Sequence, residues 1–232
     1  MKRSLNHLVS LAFLISLGMI STQASAQLYV AENTTANGTG LNLTLPVNSS
    51  GAGDYWAGLL NITARPAEGG TSSSFAAFCI DPSQWSNVGL PDYSSSSDLS
   101  SLSAVNATWV SNLYSKNYAS SIGNATDAAA FQLALWDLAK DDGNLTSGSV
   151  MKTGSTNSTV LDRANDLIAG AKSGAGSAQY SFSLYTSSTA QDYVVAHPVT
   201  AVPEPETYAM LLSGICLLGF TARRRLQKVK QI

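Results

Sequence analysis

The stretch from Ala128 to Leu138, AAAFQLALWDL, decides the fold class because it predicts the most apolar helix of the chain. Four of its apolar side chains share one helical face, with Trp136 beside it: Ala128, Phe131, Leu135 and Leu138. Asn124 or Thr126 is a suitable N-cap, and the polar segment 141–144, DDGN, ends the helix. The middle of the chain is therefore predicted to be helical.

Two more helices are predicted beside this one, at 102–114 and 159–171, where apolar residues recur at helical spacing. Strand-like runs lie on both sides of the helices: two strands joined by a loop within 27–47, then 55–62, 75–80, 180–184 and 193–195. Residues 82–97 predict a long irregular loop. This order favours an α+β fold, a β-sandwich or barrel with a helical insertion of about three helices in a single domain.

Residues 1–26 have the three parts of a signal peptide. Lys2 and Arg3 supply positive charge, an apolar run covers 8–20, and Ala24–Ala26 offers small residues for cleavage. As a helix the apolar run rises only about 20 Å, which is less than the roughly 30 Å of a hydrocarbon core. We therefore expect export with removal before Gln27, rather than retention as a membrane anchor.

Three features follow one another near the C-terminal end. They are the acidic turn Pro203, Glu204 and Pro205, the apolar run 208–220, and the basic residues Arg223, Arg224 and Arg225. The prolines make the turn stiff because each fixes φ and disfavours helix in the preceding residue. The basic cluster favours the cytoplasmic side of a membrane. Together they resemble the PEP-CTERM sorting signal over residues 202–225.

This resemblance implies processing by an exosortase, a membrane cysteine protease that recognises such signals. Residues 201–232 would then insert transiently through a short transmembrane helix and be removed. The resemblance further implies an exported protein, at the cell surface or in the extracellular matrix of a Gram-negative bacterium. An ordinary C-terminal tail anchor is the alternative.

Charge narrows the choice of partners. The whole chain carries a net charge of −2, but residues 27–202 contain six basic and thirteen acidic residues, a net charge near −7. Nucleic acid is excluded as a partner because phosphate neutralisation needs clustered Lys and Arg. The roughly 175 residues between the two end segments are enough for one extracellular domain, 27–200, with a hydrophobic core.

Cysteine usage is informative as well. The chain has two cysteines, and Cys216 lies in the apolar run expected to be removed. Cys79 would then be alone in an oxidising compartment, where an unpaired thiol is unusual. An internal disulfide in the mature protein is excluded, so we expect another fate for this sulfur.

Two motifs combine around that cysteine. Phe78-Cys79-Ile80 ends an apolar strand, and Gln132 lies in the apolar helix four residues before Trp136. This pair of motifs resembles the thioester domains of bacterial surface adhesins. The resemblance implies that Cys79 supplies the sulfur and Gln132 the acyl carbon of an internal thioester.

Such a bond has clear physical requirements. An amide is a poor electrophile, so sulfur and carbonyl carbon must be held together, where the effective molarity reaches about 10⁵ M or more. An apolar surround of Phe78, Ile80, Phe131 and Trp136 would exclude water. The thioester would then acylate an amine or hydroxyl on an extracellular polysaccharide, another cell or a protein. The protein would act as an adhesin without enzymatic turnover.

Two other functions remain open. Cys79 packed as an inert small hydrophobe would leave a non-covalent structural component of the extracellular polysaccharide matrix or biofilm. A secreted hydrolase would need a base for Cys79, and His197 is the one histidine between the two end segments.

Neither a cofactor nor a metal ion is expected. Asp137, Asp141 and Asp142 with Asn144 resemble a calcium loop only loosely, because the glycine and terminal glutamate of an EF-hand are missing at their positions. A solvated helix C-terminus explains these residues better. The sequence contains no zinc-ligand spacing and no glycine-rich phosphate loop.

Overall fold

The computed structural model describes residues 28–47, 51–66, 69–86, 92–174, 176–199, 210 and 212–216. The predicted signal peptide at 1–26 and the sorting residues Pro203, Glu204, Pro205, Arg223, Arg224 and Arg225 lie outside these ranges. Within the apolar run 208–220, Met210 and residues 212–216 are helical and exposed. Among the described residues, no helix combines the length and the apolar character that a membrane span requires. The other residues of the predicted short transmembrane helix, 208, 209, 211 and 217–220, lie outside the described ranges.

Six antiparallel strands close into a barrel. The described residues contain seven strands in all: β1 (Leu28–Thr44), β2 (Ala52–Pro66), β3 (Ser73–Cys79), β4 (Asp92–Ser96), β5 (Met151–Lys152), β6 (Tyr180–Thr186) and β7 (Tyr193–Pro198). The order around the barrel is β1-β2-β3-β7-β6-β4, and β4 returns to β1 through Leu28 and Tyr29. The two-residue β5 pairs with β1 outside the ring, at Leu43 and Thr44.

One buried cluster draws side chains from all six strands of the ring and so fills the barrel interior. Its strand members are Val30, Leu60, Ile62, Ala64, Ala77, Tyr93, Tyr185, Tyr193 and Val195. Aromatic and β-branched residues predominate, as expected for strands that pack across a closed sheet.

The helices form one insertion between β4 and β6. They are α1 (Ala104–Ser121), α2 (Ala125–Lys140) and α3 (Ser158–Lys172), with β5 between α2 and α3. All three pack against one another, and α2 also packs on β1 and β2. The predicted α+β class, the barrel and the insertion of three helices in a single domain are confirmed.

Helix α2 is the centre of this insertion. Every residue from Ala128 to Ala139 is buried, so α2 is covered on all sides rather than on the single predicted face. Asn124 caps it, accepting a hydrogen bond from the Asp127 N–H at 2.9 Å. The Asp127 carboxylate, favourable in the first turn, also pairs with Nε of Arg163 on α3 at 3.2 Å.

Two predictions about strands are wrong. Residues 28–44 form one long strand where two strands and a loop were predicted within 27–47, because β1 pairs with β2 along its length and absorbs the mismatch in two bulges. The Asn37-Gly38 pair therefore lies within β1. The predicted irregular loop at 82–97 contains β4, whose serines pair with β6. Neither pairing leaves a local sequence signal, since the partner strands decide both.

Replacing Phe131 by Ala tests the central packing. The Phe131 ring is fully buried, with centroids 4.7 Å from Phe78 and 4.9 Å from Tyr114. We expect Phe131→Ala to lower the free energy of unfolding by about 3–5 kcal/mol in chemical denaturation, because it leaves a cavity that the helices cannot fill. Val105→Ala, at a position 55% exposed on α1, should change it by no more than about 0.5 kcal/mol. Equal losses in the two variants would contradict this account of the core.

Candidate functional site

The side chain of Gln132 is bonded to the peptide groups of Cys79. The Cys79 N–H donates to Gln132 Oε1 at 2.9 Å, and Gln132 Nε2 donates to the Cys79 carbonyl oxygen at 2.7 Å. Both residues are buried, with 2% and 1% of their surface exposed. The two residues singled out from the sequence are therefore in direct contact, with the carboxamide of one against the backbone of the other.

The Gln132 carboxamide occupies the position of a backbone partner from β2. Strands β2 and β3 pair as far as Leu60 and Ala77. The same register would put Gly58 opposite Cys79, but the pairing of β2 with β3 stops before that point. Gly58 has a φ of +153°, in a region that favours glycine. The hydrogen bonds missing from the ladder at Cys79 are supplied by Gln132.

The chain after β3 is held by two buried aspartates. The Ile80 N–H donates to the Asp192 carbonyl oxygen at 2.9 Å. The Asp81 carboxylate accepts from N and Oγ of Ser83 at 2.8 and 2.5 Å and lies 3.9 Å from Nζ of Lys140 on α2. The end of β3 is thus fixed from the β7 side and from the helix that carries Gln132.

The Cys79 thiol is a weak acid in this environment. Burial raises its pKa well above the usual value, while the neighbouring Trp136 indole and the Asp81 backbone oppose the shift in part. Sγ contacts the Asp81 carbonyl oxygen at 3.7 Å. The sulfur is therefore held as a neutral thiol at neutral pH, and its proton must leave during any reaction.

Apolar groups surround the pair. Phe78 and Phe131 are fully buried against each other, and Ile80 and Trp136 are each 2% exposed. All four residues predicted to surround the site thus lie in the same buried core cluster as Cys79.

A cleft of about 160 Å³ adjoins Cys79, Gln132 and Trp136. Tyr55 and Trp85 also line it, stacked with ring centroids 5.7 Å apart. Trp85 is 61% exposed, so the cleft opens to solvent beside it. The cleft therefore extends from the side of Trp85 to the buried pair of Cys79 and Gln132.

His197, the base that a Cys-His hydrolase would require, contacts residues other than Cys79. His197 Nε2 is 3.0 Å from Ser183 Oγ, and its ring meets the edge of Phe75. No described contact joins His197 to Cys79. The structure therefore gives no support to a Cys-His pair.

Sequence reasoning missed several residues of the site. Asp81 lies only two positions after Cys79, and the helical spacing of Tyr114 and Tyr118 identifies a face of α1 that packs on Phe131. Asp192 comes from the turn before β7, far along the chain, and carries no local signal.

Known proteins resemble this chain in two respects, its C-terminal segment and its fold. The family model described as the PEP-CTERM protein-sorting motif matches residues 201–225. This match identifies the segment as the sorting signal of an exported, cell-surface protein. No curated protein matches the chain by sequence.

Solved structures of similar fold are thioester domains and an adhesin domain. The N-terminal thioester domain of a surface protein from Clostridium perfringens has 11% identity and a TM-score of 0.44, covering 75% of this chain and 99% of that one. The N-terminal domain of the Streptococcus pyogenes pilus tip adhesin Cpa has 13% identity and a TM-score of 0.42, covering 78% and 97%.

Asp192→Asn tests the electrostatics beside Cys79. Burial, with a smaller contribution from the Asp81 charge, raises the pKa of the Asp192 carboxyl from 3.8 to about 6. A raised carboxyl pKa contributes stability that is complete below about pH 4 and is lost as the pH rises through about 6. Asparagine keeps an oxygen for the Ser187 N–H, which donates to Asp192 at 2.8 Å.

We therefore expect Asp192→Asn to gain roughly 1–3 kcal/mol of unfolding free energy relative to the unsubstituted protein between pH 4 and pH 7. Urea denaturation at both pH values measures this change. Stability curves that run parallel across this pH range would contradict a raised pKa at Asp192.

Proposed function

We propose that Cys79 and Gln132 form an internal thioester through which this exported protein attaches covalently to an extracellular nucleophile. The observation that carries the proposal is the pair of hydrogen bonds, 2.9 and 2.7 Å long, between the Gln132 carboxamide and the Cys79 backbone. They hold the carboxamide of Gln132 against the backbone of Cys79, the residue that carries the sulfur. Such proximity of the reacting groups is the condition for a high effective molarity.

Formation of the bond releases ammonia. The sulfur of Cys79 bonds to Cδ of Gln132, the bond from Cδ to Nε2 breaks, and the thiol proton leaves with Nε2 as NH₃. The neutral thiol that burial enforces is therefore the correct starting species, since the leaving nitrogen needs its proton. The buried surround of Phe78, Ile80, Phe131 and Trp136 limits hydrolysis of the product by water.

Reaction with the target restores the thiol. The nitrogen of an amine or the oxygen of a hydroxyl bonds to Cδ of Gln132, the bond from Cδ to Sγ breaks, and the proton of the nucleophile passes to sulfur. The cleft beside Trp85 provides the approach. The target remains attached through Gln132, so the protein is a reactive binding protein without turnover, and its nucleophile belongs to a polysaccharide, a cell or a protein.

The two end segments determine the cellular location at which this reaction would take place. The signal peptide at 1–26 directs export, and an exosortase processes the segment 201–232, which inserts transiently in the membrane. The domain 27–200 is then displayed at the surface or in the extracellular matrix of a Gram-negative bacterium. Processing removes Cys216, so Cys79 remains without a disulfide partner.

A second function has one observation in its favour. Both polar atoms of the Gln132 carboxamide are satisfied by backbone groups, as in a purely structural buried amide. With an inert Cys79, the protein would be a non-covalent structural component of the extracellular matrix or biofilm.

The intact mass of the purified protein separates these two functions. We expect a mass lower than that of the sequence by one ammonia, and addition of one methylamine on incubation with that amine. Cys79→Ala should abolish both effects, because no sulfur is left to hold the acyl group. Cys216→Ala is the matched control and should leave both effects unchanged.

A native protein that has the full sequence mass and one alkylatable thiol at Cys79 after unfolding would refute the thioester. That result would favour the structural alternative.

Processing of the tail is tested in the producing bacterium. Replacing Pro203, Glu204 and Pro205 by Ala removes the Pro-Glu-Pro motif that an exosortase would recognise. We expect the surface fraction of the unsubstituted protein to lack the peptide containing Arg223–Arg225, and the variant to retain it in the membrane fraction. Mass spectrometry of both fractions measures this, and equal trimming of the two proteins would contradict recognition through this motif.

A further inference from the structure

Three carboxylates meet at the C-terminal end of α2. They belong to Asp137, Asp141 and Asp142, and one oxygen from each lies within 4.8 Å of the others. Asp137 is completely buried, and neither of its carboxylate oxygens has a hydrogen-bond partner within the described part of the chain. The interpretation as a solvated helix C-terminus is therefore wrong for Asp137.

The charge at this position lacks compensation. Carboxylates are unfavourable at a helix C-terminus, where the helix dipole is already negative. Lys172 supplies one positive charge nearby, but its Nζ donates to the carbonyl oxygens of Asp142 and Gly143 at 3.1 and 3.2 Å. Lys140 points to Asp81 instead. Three carboxylates therefore face one ammonium in a partly buried cluster. Burial, with smaller contributions from the charges of Asp141 and Asp142, raises the pKa of the Asp137 carboxyl to about 7, because a poorly compensated buried charge is strongly unfavourable.

The segment after α2 holds two of the carboxylates in position. Asp141 accepts hydrogen bonds from the N–H groups of Ser149 and Val150 at 2.5 and 2.7 Å, and Asp142 accepts one from Ser147 Oγ at 2.9 Å. A side chain at Gly148 would collide with the Asp141 carboxylate, since its Cβ would lie 2.2 Å from Oδ1. Asp137, on the helix itself, is the member whose oxygens accept no hydrogen bond of good geometry within the described ranges, although the nearby Asn144 N–H lowers its pKa in part.

We propose that Asp137, Asp141 and Asp142 bind one Ca²⁺ ion. The ligands are all carboxylate oxygens, which suit hard divalent cations, and the cluster contains no His or Cys that would select a softer metal. Ca²⁺ fits better than Mg²⁺ because it accepts irregular oxygen geometry, with water completing its coordination. The ion supplies positive charge to a cluster in which Lys172 is the one nearby cation that lowers the pKa of Asp137.

The site would act on the same helix that carries Gln132. Asp137 is five residues beyond Gln132 and directly follows Trp136. A bound ion joins the end of α2 to the segment 141–150, so α2 would be fixed at its C-terminal end as it is at its N-cap. This binding is independent of the thioester, since none of its ligands contacts Cys79.

Calcium titration of the purified protein tests the site, by calorimetry and by thermal unfolding after removal of metal with a chelator. We expect one ion per chain with a Kd on the order of 0.1–1 mM, as in extracellular calcium modules. At ten times the Kd, Tm should rise by roughly 3–6 °C. Mg²⁺ at the same concentration should raise it less.

Two variants identify the ligands. Asp142→Asn removes an exposed carboxylate and should weaken Ca²⁺ binding by about tenfold or more without affecting folding. Asp137→Asn should raise Tm in the absence of metal, because it removes a buried unpaired charge, and should abolish the response to Ca²⁺. Asp162→Asn, an exposed carboxylate on α3 outside the cluster, is the matched control and should respond as the unsubstituted protein does.

The Cys79→Ala protein should bind Ca²⁺ unchanged, which separates this site from the thioester. The proposal is overturned if millimolar Ca²⁺ neither binds nor raises Tm, if Mg²⁺ binds as tightly, or if Asp137→Asn and Asp142→Asn keep the full response.

Discussion

The two hydrogen bonds between the Gln132 carboxamide and the Cys79 peptide groups are the constraint on which the rest of the structure depends. A buried amide must have its donor and acceptor satisfied, and here a strand end supplies both. The bonds join the barrel to the helical insertion at a point where the β2–β3 ladder has stopped. They therefore fix the depth and rotation of α2, which in turn positions the aromatic core of Phe78, Phe131 and Tyr114.

Helix α2 concentrates the unusual polar groups of the domain. It is buried along twelve consecutive residues, yet it carries both Gln132 and Asp137 inside. Gln132 is fully paired, whereas neither carboxylate oxygen of Asp137 has a hydrogen-bond partner within the described structure. A helix interior tolerates polar groups only where they are satisfied, so the position of Asp137 calls for a ligand. The calcium site is the proposal that answers this requirement, and the thioester rests on the separate contact between Gln132 and Cys79.

The sequence was informative where local patterns decide the structure. Periodicity predicted α2 and its neighbours, Asn124 was one of two suggested caps, and the order of strands and helices predicted the α+β class. The choice between a sandwich and a closed barrel was not predictable, since β4 meets β1 through only two residue pairs. The strand β1 was predicted as two strands because its continuity depends on its pairing with β2. The motifs around Cys79 and Gln132 predicted that these two residues act together. The place of Asp192 beside them, and the lack of hydrogen-bond partners for Asp137 among the described residues, depend on contacts between segments distant in the chain.

The contact between α2 and β3 uses the backbone of residue 79 and not its side chain. The sulfur contributes nothing to the two hydrogen bonds that hold Gln132. Any side chain at position 79 that is small enough for the site would leave these hydrogen bonds and the fold intact. Folding and the proposed reactivity therefore depend on different atoms of this residue. A single codon change at position 79 could silence the chemistry in one lineage while the shape, the export and the display of the domain persist.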